Sequence, residues 1–191
     1  MALRTTTEAL VQRVRDLLGP CSDTVTNDQI QDRLDRHRIK LQLLRLDALP
    51  TVASSPSGQV RYYEFTSSYQ NWEAGYTIQL AGNSISGVSS GDAWQVITPS
   101  VANDIEGRWT FTDYYFAAVF ITGYSHDPFA TAADCLELLA ATELRAITFS
   151  AGGQTFNRGQ IRQNYLDFAK DMRKQARIVN AEMWRGDTLT G

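Results

Sequence analysis

The residues able to do chemistry in this 191-residue chain are few and scattered. His37 and His126 lie in different segments, and neither sits in the HxxxH or HExxH spacing that puts two ligands on one helix face. His37 falls on a helical apolar stripe, where packing is its expected role. His126 precedes Asp127-Pro128, where it would orient a turn. Six carboxylates, Glu64, Glu73, Asp92, Asp104, Glu106 and Asp113, could supply an acid/base pair for glycoside hydrolysis, with Trp and Tyr as a sugar platform, but their spacing specifies no pair. No P-loop or GxGxxG is written. Gly152-Gly153 after Ser150 lacks the following Gly-Lys-Ser/Thr and reads as a tight turn. Cys21 and Cys135 have neither the density of a disulfide scaffold nor CxxC spacing, so both read as reduced, intracellular thiols. No catalytic residue, metal ligand or cofactor is expected.

The elements that would position these groups can be read from periodicity. Leu10, Val14, Leu17 and Leu18 form one stripe of a helix over residues 7–18, ended by Gly19-Pro20. Thr26 followed by Gln29 is a capping-box signature for a second helix. Ile30, Leu34, His37, Leu41 and Leu44 keep helical spacing to the end of that stretch, and Asp32–Arg36 makes an i,i+4 pair. After a turn-rich linker, fourteen of the twenty aromatics fall between Tyr62 and Tyr124. Short β-prone runs at 59–65, 76–80, 94–98, 108–111 and 116–122 predict an antiparallel β insertion. Asp127 as N-cap and Pro128 as first residue begin a third helix with Ala132, Leu136, Leu139 and Ala140 on its stripe. A turn bracketed by Phe149 and Phe156 leads to a fourth helix over about 157–178, with Ile161, Tyr165, Phe168, Met172 and Ala176 inward. The reading is an α+β fold: a four-helix core (residues 1–50 and 126–178), a β-rich insertion (51–125) between helices 2 and 3, and a C-terminal tail (179–191).

Composition narrows the function classes. Hydrophobic residues at 43% and charged residues at 20% are those of a globular chain. The longest apolar run, residues 116–121, is far below the ~18–20 that a membrane-spanning helix needs. The N-terminal residues have no secretory h-region. The net charge of −3 is uneven: residues 1–45 carry eight basic and six acidic side chains, 46–144 two and eleven, and 145–191 eight and four. Fifteen of the eighteen cations are Arg, whose planar fork favours protein contacts over a generic nucleic-acid patch. The aromatics of the basic last helix, Tyr165 and Phe168, are expected to be core rather than base-stacking platforms.

Read in order, TNDQIQDRLDRHR, YYEF, NWEAGYTIQL, WQVITPS, EGRWTF, VFITGYSHDPFATAADCLELLAA, ITFSAGGQTFNRGQIRQNYLDFAKDMRKQAR and an MWRGD tail resemble the head-tail connector (adaptor, head-completion) proteins of long-tailed bacteriophages. The resemblance covers nearly the whole chain. Its most specific pieces are the Ala-rich helix 130–141, the FSAGGQTFNRGQ turn and the basic helix after it; the β insertion resembles only a subset of the group. It implies a structural virion protein of the head-tail neck, in the host cytoplasm during assembly, and no enzyme. Identical subunits, twelve on this resemblance, would form a ring on the portal protein and present a platform to the next neck or tail-completion protein. Genomic double-stranded DNA would pass through the lumen without sequence-specific binding, and no membrane is involved. Met183, Trp184 and Arg185, with Arg177, are then expected at the portal interface. The polar loop with Asn83, Ser84, Ile85, Ser86, Ser89 and Asp92 is expected to contact neighbouring subunits or the next neck protein. The alternative is a β-rich ligand-binding or glycan-active module carried on a helical core.

Overall fold

The computed structural model describes residues 4–51, 61–80, 94–113, 118–143, 149–151, 154–156 and 158–177. Two helices, α1 (Glu8–Leu18) and α2 (Asn27–Arg36), open the chain. The expected stripe of α1 is realised, with Leu10, Val14 and Leu18 buried and Leu17 partly so. The capping box that starts α2 forms in both directions: Gln29 N donates to Thr26 Oγ1 at 3.2 Å, and Thr26 N to Gln29 Oε1 at 2.9 Å.

The expected continuation of this helix to Leu44 is wrong. α2 ends at Arg36, His37 caps it, and residues Arg38–Arg45 form strand β1. Ile39 and Leu41 fit an alternating pattern as well as a helical one. Pairing with a later strand settles the choice, since it satisfies the backbone and lays Leu41 and Leu44 against a second core.

The strands β2 (Asp47–Thr51), β3 (Arg61–Thr66), β4 (Thr77–Leu80), β5 (Gln95–Ile97), β6 (Val101–Asn103), β7 (Arg108–Thr110) and β8 (Val119–His126) follow. They build two antiparallel four-stranded sheets between α2 and the next helix, in the orders β1-β8-β4-β5 and β2-β3-β7-β6. Five of the eight were expected near these positions; β1, β2 and β6 were not. The sheets share a core. Leu80, Ile78, Val119, Ile121 and Ile97 line the inner side of the first, Phe65 and Trp109 that of the second, and Leu46 lies between β1 and β2. Trp72, Tyr76 and Trp109 pack edge to face at 5.4–6.5 Å between centroids, favourable for their quadrupoles. The Trp109 indole donates to Tyr76 Oη at 2.8 Å. Burial and the neighbouring Asp104 carboxylate push the Tyr76 phenol above its usual range.

Helix α3 (Pro128–Glu143) starts as expected, with Asp127 Oδ1 accepting from the amides of Phe129 and Ala130, both at 3.0 Å. The strand pair β9 (Phe149–Ala151) and β10 (Gln154–Phe156) sets the two bracketing phenylalanines opposite each other. Helix α4 (Arg158–Gln175) then packs along α3. Its register departs from expectation: Ala169 and Met172 are buried, whereas Ile161 and Phe168 are exposed. Two overlapping apolar stripes run along α4, and the one that brings small Ala169 to the alanines of α3 permits the closer helix approach.

Candidate functional site

The titratable groups found in the sequence do not converge on an active site. Glu64 is paired with Arg108 at 3.1 Å, Asp104 meets Tyr76, and Glu106 and Asp113 are exposed on separate turns. Asp92 lies outside the described residues. Among the described residues no group of three His, Cys, Asp or Glu side chains could hold a metal ion, and no helix is long and apolar enough to cross a membrane. His37, expected on a helical stripe, instead places Nε2 2.8 Å from Asp134 Oδ2 on α3. Asp134 also takes Arg173 of α4 at 2.9 Å.

What the fold does bring together is a polar junction between helices and sheets. Fully buried His126, at the end of β8, places Nδ1 3.0 Å from the Leu34 carbonyl of α2 and Nε2 3.1 Å from Glu73 Oε2. Glu73 also accepts from Thr6 Oγ1 at 2.8 Å, and its Oε1 lies 3.2 Å from Arg4 Nε, an ionic contact angled away from a hydrogen bond. Arg4 forks onto Asp35 through bonds of 2.9 and 2.6 Å, and its amide donates to Gln31 Oε1 at 2.7 Å. A charge-assisted fork of this kind fixes orientation as well as adding energy. The junction therefore sets how α2 sits on the sandwich. Sequence reasoning named His126 and Glu73 separately without pairing them and did not single out Arg4 or Asp35, because these residues are far apart in the chain.

Arg177, expected at a portal interface, is engaged within the subunit. Its guanidinium lies over the Tyr69 ring at 4.9 Å and donates to Ser125 Oγ at 2.9 Å and to the Gln70 carbonyl at 3.4 Å, while its amide donates to Asp127. Burial lowers its pKa from the ordinary value, and the Asp127 charge works against that. The other expected interface residues, Met183, Trp184 and Arg185 and the loop residues Asn83, Ser84, Ile85, Ser86, Ser89 and Asp92, lie outside the described residues.

The surface itself carries the remaining candidates. On the first sheet Val96 is 61% and Trp94 45% exposed, and Trp94 rests edge-on against Phe120 at 5.3 Å. On the edge strand β6 Val101 is 63% exposed. On α4 Ile161 and Phe168 face solvent one heptad apart, so the expected core role of Phe168 is corrected. Alternation along 119–126 was the signal that could have placed Phe120 and Tyr124 outward. No signal local to α4 distinguished its two stripes.

No family model matches this sequence, and comparison with curated proteins and with solved structures finds no match either.

Proposed function

We propose that this chain is a structural virion protein, a ring-forming adaptor between the portal and the next neck or tail component, and that it extends the DNA channel. The observation that carries the reading is apolar exposure on three separately built surfaces: Trp94 and Val96 on the first sheet, Val101 at the edge of the second, and Ile161 with Phe168 on α4. An adaptor ring needs two unlike faces for its neighbours and at least one more for the protein it docks on. Mixed polar and aromatic surfaces suit such contacts, and of the carboxylates of the glycan-active alternative Glu64 and Glu73 are paired with Arg108 and Arg4 in separate places while Glu106 and Asp113 stand on separate turns. The resemblance to head-tail connectors supplies the identity of the partners. In this reading the protein belongs to the virion neck and passes through the host cytoplasm during assembly. The lumen would pass double-stranded DNA without gripping it.

Sedimentation of the purified chain with and without the portal protein of the same phage tests the reading. A monomeric or weakly associated chain that forms a ring on portal is expected, while a tight dimer indifferent to portal would overturn it. The C-terminal residues 179–191 are proposed to dock on portal, with Trp184 as anchor beside Met183 and with Arg185 pairing an acidic portal group. Trp184→Ala is expected to weaken portal binding by about 2 kcal/mol at an unchanged melting temperature of the free subunit. A destabilised subunit with intact portal affinity would move Trp184 into the core and the docking site elsewhere.

A further inference from the structure

Resting on the ring reading, we propose that the ring contact is sandwich on sandwich: the outer face of the first sheet of one subunit seats on the outer face of the second sheet of the next copy. The four strands of the first sheet contain no Asp or Glu. By register, their outer side carries Lys40 opposite Tyr124, Arg45 opposite Phe120, and Gln79 between Phe120 and Val96, and Arg38 lies over the Tyr124 ring at 4.8 Å. Cations thus line the β1 edge, and Tyr124, Phe120 and Val96 follow among the uncharged polar groups Thr122, Thr77 and Gln79.

The same edge holds a strained residue. Register shifts between Leu41 and Leu44, and within this bulge Leu43 adopts φ +49°, in the left-handed region that disfavours a side chain. Its amide bonds to Thr122 Oγ1 at 3.0 Å, and its side chain is 47% exposed. The free subunit thus leaves about half of this side chain in water despite that conformation, and assembly would bury the remainder.

The opposite side of the sandwich has the complementary chemistry. The outer face of the second sheet carries Asp47, Leu49, Glu64, Arg108 and Val101 by register. Glu64 and Arg108 neutralise each other at 3.1 Å, which leaves exposed Asp47, exposed Glu106 in the β6–β7 turn, and apolar Val101. Basic-with-apolar on one side and acidic-with-apolar on the other is a heterologous pair that propagates head to tail and closes when the rotation permits. Trp94, Phe120 and Tyr124 beside cations are a pattern that a nucleic acid can also use, but the acidic outer face of the second sheet on the same chain supplies the complementary charge, which selects a second copy as the occupant.

Sedimentation of the full chain across a concentration series, alone and with portal, tests the contact. Lys40→Glu/Arg45→Glu and Asp47→Lys/Glu106→Lys are each expected to lose self-association by at least about tenfold at an unchanged melting temperature, and an equimolar mixture of the two is expected to recover it. Leu43→Gly is expected to weaken association about tenfold without lowering the melting temperature. Variants that assemble like the wild type, or a mixture no better than its components, would overturn the contact while a ring on portal left the adaptor reading standing. If the Lys40/Arg45 variant kept self-association but lost portal, the face would belong to portal and the proposal would fall. If the wild-type chain formed no ring even on portal, the contact and the adaptor reading would fall together.

Discussion

Glu73→Ala is expected to lower the unfolding free energy by about 3 kcal/mol, the low end of what removing one partner of a buried ion pair costs. The Glu73 carboxylate meets Arg4 and Thr6 from the N-terminal segment and His126 from the end of β8. Its removal would leave the His126 ring, fully buried, with one facing acceptor instead of two, and Arg4 with Asp35 alone. Arg4 is part-exposed, so water recovers some of its loss, which argues for the low end. Equilibrium denaturation measures the change. Asp32→Ala, which breaks only the exposed 2.7 Å pair with Arg36, is the control and is expected to change stability by about 0.5 kcal/mol or less. Equal effects for the two substitutions would mean that the junction is solvated and does not hold α2 on the sandwich.

The second large effect is expected at Gly107, which closes the turn into β7 at φ +68°. A Cβ there would stand 2.3 Å from the Tyr69 carbonyl oxygen, a backbone atom that cannot rotate away. That oxygen accepts the Trp72 indole at 2.9 Å, and the Gly107 carbonyl accepts the Ser67 amide at 2.8 Å, so any shift strains contacts around the fully packed Trp72. Gly107→Ala is therefore expected to destabilise by on the order of 3–4 kcal/mol, combining left-handed strain with overpacking. Gly19 separates the two contributions. It has φ +56° and ψ −129°, a sparsely populated region, but no atom within 4 Å of a built Cβ, so Gly19→Ala is expected to carry only the conformational part, about 1–2 kcal/mol. Similar denaturation midpoints for the two alanine variants would show that the segment at Tyr69 yields freely.

The sequence by itself determined what depends on neighbours within a turn or two. The Thr26–Gln29 box, the Asp127 cap with Pro128, the stripe of α1 and the β character of the aromatic-rich middle were all legible because each interaction closes over a few residues. Only the tertiary structure decided the rest. Residues Arg38–Arg45 suit a helix or a strand, and pairing with β8, some eighty residues away, decides for the strand. Two stripes on α4 share Tyr165 and Met172, and the alanines of α3 select the one with small Ala169, exposing Ile161 and Phe168. The candidate surfaces follow the same division. That the chain is rich in Arg and acidic in the middle is written in its composition, but which cations share a face with Phe120, Tyr124 and Trp94 is set by strand register. The physical reason is that side chains alternate across a strand, so a one-residue change of pairing reverses every face. Long-range pairing is selected by burial over the whole sandwich, which no local window contains.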